Sequence, residues 1–199
     1  MKQRGVYIVA EIGQAHDGSV GILHSYIDAA ADAGVDAIKF QTHIAEAESS
    51  YLEPFRTNFS YVDKTRFDYW QRMQLDENEW VRIRDHCEDR GVDFISSPFS
   101  VEAVRLLERV GVDAYKVGSG EVNNYLLLDT IAETCRDVII SSGMSSFCEI
   151  DSALKRFSNS KGELSVVQCT TAYPSAPENI GLNVISEMKE RYNLPVGLS

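Results

Sequence analysis

Lys116-Val117-Gly118-Ser119-Gly120-Glu121 sets a lysine inside a short apolar run and then breaks the chain with two glycines, a serine and a glutamate. A lysine buried in a strand costs free energy unless an anion or a hydrogen-bonding group meets it. Small residues and a hydroxyl beside it supply what a phosphate or carboxylate pocket needs. The pattern recurs where other apolar runs end. Glu11-Ile12-Gly13 is followed by His16-Asp17-Gly18, and Lys39 stands in Lys39-Phe40-Gln41-Thr42. Ser96-Ser97-Pro98-Phe99-Ser100, Ser141-Ser142-Gly143-Met144, Thr170-Thr171-Ala172-Tyr173-Pro174 and Ser199 continue the series. Ala37, Lys39 and Gln41 alternate with Ile38 and Phe40, so in a strand the lysine and glutamine share one face and the apolar pair the other. Two inward lysines among hydroxyls make an anion site for a phosphate, a carboxylate or both. Glu11 and Glu121 flank it and are placed to move protons or to hold sugar hydroxyls. His16 reads as a turn residue, and His24, His43 and His86 as surface or packing residues.

The elements that must carry these residues follow from a small repeat. Gly34-Val35-Asp36, Gly91-Val92-Asp93 and Gly111-Val112-Asp113 each close a helical pattern and open an apolar strand. Glycine just past a helix end adopts the left-handed conformation that stops the helix. Repeated helix-to-strand joints of this kind imply a parallel sheet. Strands are expected near 6–12, 36–41, 93–98, 113–117, 137–142, 164–170 and 195–199, with six helical patterns between them. Ala29, Ala30 and Ala33 mark the first helix, and Val104, Leu107 and Val110 stripe the third. Leu127, Leu128 and Ile131 mark the fourth, and Val184, Ile185 and Met188 the sixth. Asp76 with Glu79, and Ser146 with Glu149, are spaced as capping boxes for the second and fifth. Residues 43–75 form a long, aromatic-rich connection after the second strand, suited to a lid or to packing over other elements. The fold class expected is α/β, a (β/α)8 TIM barrel of which about seven strands are covered. A complete barrel takes roughly 250 residues, so the 199 residues are expected to be an incomplete one.

The formal net charge of −11 and 44% hydrophobic content suit a soluble globular chain. No basic cluster offers a nucleic-acid surface, and no leader or membrane span is expected, which places the protein in the cytoplasm. Cys87, Cys135, Cys148 and Cys169 form no CxxC pair and read as reduced, buried thiols, two on helices and one in a strand.

Taken in order, Glu11-Ile12-Gly13 with His16 and Gly18, Lys39 to Thr42, Ser97-Pro98-Phe99, Lys116 to Glu121, Ser142-Gly143-Met144 and Cys169-Thr170 with Tyr173-Pro174 resemble the sialic acid synthase (N-acetylneuraminate synthase) family, which includes legionaminic and pseudaminic acid synthases. The resemblance covers nearly the whole chain, residues 1–199 matching the N-terminal part of the synthase barrel domain. It implies condensation of phosphoenolpyruvate with an N-acyl amino sugar such as N-acetylmannosamine, with C–O cleavage, to a nine-carbon 2-keto acid and phosphate. It also implies a divalent metal, Mn2+ or Mg2+, and a homodimer. By position, Lys39, Lys116, Ser119, Ser141 and Ser199 resemble the residues that bind phosphoenolpyruvate. Glu11, Gln41 and Tyr173 resemble positions near the sugar and the reacting centre, Thr171 stands where bacterial members often carry asparagine, and Glu121 resembles the glutamate that assists at the tetrahedral intermediate. The family's metal-binding histidines and its antifreeze-like domain fall beyond Ser199, so the chain alone is expected to be inactive. Two other readings of the residues are a phosphoenolpyruvate- or phosphate-binding fragment without turnover, and a Schiff-base aldolase using Lys116 or Lys39.

Overall fold

A computed structural model describes residues 5–199. Met1 to Arg4, which are expected from the sequence to run straight into the first strand, lie outside the described residues. The chain divides into two compact units, Met1–Asp113 and Ala114–Ser199.

In the first unit the order is β1 (Val9–Gly13), α1 (Val20–Asp32), β2 (Ala37–Thr42), α2 (Ala45–Glu48), α3 (Arg66–Met73), α4 (Glu77–Asp89), β3 (Asp93–Pro98) and α5 (Val101–Val110). The strands pair in parallel, β1 with β2 and β2 with β3, and the register sets Glu11 beside Lys39 and Gln41 beside Ser97. Fully buried Phe40, Trp80 and Phe94 pack ring against ring at centroid distances of 5.3 to 6.1 Å, fixing α4 to the sheet. Helix α5 shows how sequence becomes structure here. Ser100 caps it by accepting from the Ala103 N–H, Val104, Leu107 and Val110 are buried on one side, and Gly111 ends it at φ +90°. Gly34 and Gly91 also sit at positive φ, so all three expected joints form.

In the second unit the order is β4 (Ala114–Val117), a 3-10 turn (Ser119–Glu121), α6 (Tyr125–Thr134), β5 (Asp137–Ser141), α7 (Phe147–Arg156), β6 (Leu164–Gln168), a second 3-10 turn (Pro177–Asn179), α8 (Leu182–Tyr192) and β7 (Val196–Leu198). The strands pair in parallel, in the sequence β4, β5, β6, β7. Buried Ile150, Val166 and Met188 join α7, β6 and α8 into one core. The element order is that of a (β/α)8 barrel through its seventh strand.

Three expectations need correction. Residues 43–75 are not a plain loop: they hold α2 and α3, and α3 starts on a capping box of Thr65 with Asp68. Strand β1 begins at Val9, not near residue 6; Val6 and Ile8 are exposed ahead of it, with the Ile8 carbonyl accepting the Ala37 N–H at 3.2 Å. Only Cys87 is a buried thiol, pushed up to about 12 by burial; Cys135 and Cys148 are exposed and Cys169 lies half-buried just past β6. Both expected capping boxes form, at Asp76 with Glu79 and at Ser146 with Glu149. No helix among the described residues is long and apolar enough to cross a membrane.

Candidate active site

The polar strand ends of the first unit are bound up with one another. Lys39 is 3% exposed, and its Nζ lies 3.7 Å from the Glu11 carboxylate across the β1–β2 register. Gln41 accepts from Gln14 Nε2 at 2.8 Å. Thr42 and Ser96 share a hydrogen bond of 2.7 Å. His16 is buried, and its Nδ1 accepts the Gly18 N–H at 3.1 Å, so the turn role holds. Burial, and next the nearby His43, hold the His16 imidazole below its usual range. His43 is buried too. Its ring is stacked between Trp70 at 3.8 Å and Phe99 at 4.3 Å, and its Nδ1 meets Glu48 at 2.9 Å. It is therefore a packing residue, as expected, although an oriented one. Arg72 of α3 bonds Asp63 at 2.6 Å and also Asp17 in the turn after β1, which ties the aromatic segment down. His24 of α1 and His86 of α4 meet Nδ1 to Nδ1 at 2.7 Å, and His86 Nε2 reaches Asp28 at 3.1 Å.

The second unit gathers hydroxyls and one cation. Lys116 is 7% exposed and donates from Nζ to Ser199 Oγ at 2.6 Å. Ser119 Oγ donates to Ser141 Oγ at 3.1 Å. A Cβ built on Gly143 would stand 2.5 Å from both Ser119 Oγ and Thr171 Oγ1, so glycine is what lets these hydroxyls converge. Ser142 Oγ donates to Gln168 Oε1 at 3.1 Å and accepts the Cys169 N–H at 3.2 Å, which fixes the ends of β5 and β6 to each other. Glu121 accepts from Asn124 Nδ2 at 2.8 Å and stays at the rim of the 3-10 turn. Tyr173 is 88% exposed on the connection after β6. The structure thus joins Lys116 with Ser199, and Ser119 with Ser141 and Thr171. In the first unit it joins Glu11 with Lys39.

Among the described residues no group of three or more His, Cys, Asp or Glu is arranged to hold a metal ion. The resemblance sets the histidine ligands of the expected divalent ion beyond Ser199, and the described residues add no ligand group of their own.

Sequence reasoning missed Gln14, Glu48 and Gln168. Each acts by fixing a neighbour named above, and only Gln14, beside Glu11 in a polar turn, offered a signal in the chain.

A family model described as the NeuB family matches residues 26–199. N,N'-diacetyllegionaminic acid synthase of Campylobacter jejuni is 29% identical over 198 residues, 96% of this chain and 59% of its own length. Human N-acetylneuraminate-9-phosphate synthase is 30% identical over 201 residues, 99% of this chain and 56% of its own. The chain thus spans little more than half the length of these relatives. A crystal structure of the sialic acid synthetase of Leptospira borgpetersenii, in complex with citrate, superposes with a TM-score of 0.84 at 27% identity, over 98% of this chain and 65% of that one.

Proposed function

This chain belongs to the NeuB family, and from that premise we propose that it serves the condensation of phosphoenolpyruvate with an N-acyl amino sugar. The observation that carries the reading is the polar character of the second unit's strand ends: a buried lysine on a serine hydroxyl at 2.6 Å, and hydroxyls that converge over Gly143. A cation and several O–H donors suit an anion with many acceptor oxygens. Phosphoenolpyruvate offers a carboxylate and a phosphate.

In this reading Lys116, Ser119, Ser141 and Ser199 hold the donor's anionic groups, and Lys39 acts on the same substrate. Gln41, Thr171 and Tyr173 meet the sugar. The donor's C3 forms the new bond to the sugar's aldehyde carbon, water adds at C2, and phosphate leaves with C–O cleavage. Glu11 and Glu121 are the proton carriers, since each keeps a carboxylate at a strand end. A divalent ion, a cytoplasmic location and a homodimer belong to the same reading.

The test is titration of the purified chain with phosphoenolpyruvate, followed by calorimetry and by 31P NMR. We expect saturable binding to one site, and an unchanged ligand shows that the 199 residues bind without turning over. Absence of binding at millimolar phosphoenolpyruvate sinks the reading. Phosphate release by the chain alone, with N-acetylmannosamine and Mn2+ added, overturns only the expectation of inactivity.

A further inference from the structure

The turn after β5 carries a residue that its backbone does not favour. Ser145 N–H donates to the Ser142 carbonyl at 3.2 Å, closing a four-residue turn, and Met144 in its third position holds φ at +60°. That position in such a turn belongs to glycine or asparagine. A bulky side chain there is strained, and strain of this kind marks functional positions. The turn does contain a glycine, one residue too early to relieve it. Gly143 is committed to close approach, because a Cβ there would strike Ser119 Oγ and Thr171 Oγ1 at 2.5 Å.

Packing does not repay the strain at 144, since the methionine is 71% exposed. Its Cε extends over the Ser119–Glu121 turn, 4.0 Å from where a Cβ on Gly120 would stand. It also borders a cavity of about 360 Å³ with Phe147 and Met188 in its wall. An exposed, polarizable, unbranched side chain on a pinned turn, next to a ring of hydroxyls, is suited to the one apolar group of an otherwise polar ligand.

We infer that Met144 is a specificity-determining residue that packs on the N-acyl group of the acceptor sugar. This rests on the acceptor reading given under the proposed function. The hydroxyls of Ser119 and Thr171 have no means of telling an acylated amine from a free one by apolar contact, and Met144 supplies that means.

The experiment compares the wild-type chain with Met144→Gly, both saturated with phosphoenolpyruvate, for binding of N-acetylmannosamine and of mannosamine. The glycine variant is expected to unfold about 3 °C higher, because the left-handed position is relieved. It is expected to bind N-acetylmannosamine about tenfold more weakly, with mannosamine binding equally to both chains. The 13C-methyl resonance of Met144 is expected to shift with N-acetylmannosamine and not with mannosamine. Equal binding of the acylated sugar by both chains overturns the inference and leaves the acceptor reading intact. A lower unfolding temperature in the variant also overturns it, by showing that Met144 is a packing residue. If the wild-type chain binds neither sugar, the acceptor reading falls and the inference with it.

Discussion

The polar strand ends of the two units are built on opposite principles. In the first unit charge meets charge or ring meets ring: Lys39 faces Glu11, Arg72 spans Asp17 and Asp63, and His43 is held by Glu48 between two aromatic rings. In the second unit Lys116 donates to the Ser199 hydroxyl, and Ser119, itself bonded to Ser141, and Thr171 flank Gly143. The first arrangement sets its charged groups against one another, which positions them and stiffens the fold. The second offers ammonium and hydroxyl donors of the kind that suit an anion. Burial does not separate the two, since Lys39 and Lys116 are both nearly inaccessible; they differ in that Lys39 lies beside the Glu11 carboxylate and Lys116 donates to the Ser199 hydroxyl.

The sharpest way to break this contrast is to remove the cation of the second unit. Lys116→Ala is expected to weaken phosphoenolpyruvate binding about 100-fold, the loss of a charge-assisted contact to a charged ligand, with little change in unfolding temperature. Calorimetry and a thermal melt on the same sample check both halves. Gly143→Ala comes next. A methyl 2.5 Å from two hydroxyl oxygens must displace them, and we expect about a tenfold loss of affinity with the fold retained. Arg72→Ala should do the reverse. It leaves the nearly buried Asp63 without its guanidinium, which holds that carboxyl below its usual range, so it is expected to cost about 1 kcal/mol of stability by urea unfolding. Phosphoenolpyruvate affinity should not move. An Arg72 variant that binds more weakly would erase the distinction between the units.

The smallest effect concerns pH. Burial, and next the neighbouring His86, hold His24 below the usual imidazole range. The unfolded chain then takes up a proton more readily than the folded one, so stability rises with pH up to about 6.5 and falls below it. With His86 Nε2–H on the Asp28 carboxylate, His24 Nδ1–H donates to His86 Nδ1; a first added proton goes to His24 Nε2 and keeps that bond, but a second sets N–H against N–H. Melting temperatures from pH 8 to 5 are expected to fall by a few degrees more in the wild type than in His24→Asn. Parallel curves would remove the pair from the account.

Much of this frame is legible in the chain because it depends on local rules. Asp76 with Glu79 and Ser146 with Glu149 cap helices wherever the chain places them, and Gly34, Gly91 and Gly111 end helices by their own geometry. The segment 43–75 hides its helices for a physical reason. Tyr51, Phe55, Phe59, Phe67 and Tyr69 pack mainly on one another, so their spacing carries no helical period, although Thr65 and Asp68 do signal the start of α3. In the candidate site the lysines and hydroxyls stand out by type. Their partners do not, because Gln14 with Gln41 and Ser142 with Gln168 meet only once the strands are in register. The exposure of Cys135 and Cys148 depends likewise on which side of a helix or cap faces outward.

The bond from Lys116 to Ser199 joins residues 83 positions apart. Ser199 is itself set by its N–H on the Gln168 carbonyl at 2.8 Å. A contact of such separation closes a long loop, whose entropy the intervening strands and helices help to offset. The Lys116–Ser199 pair therefore exists only where the second unit's first and last strands are both in place. A ligand that binds the pair draws the chain toward that state by mass action, so the metabolite that occupies the site would also act as a folding factor for it.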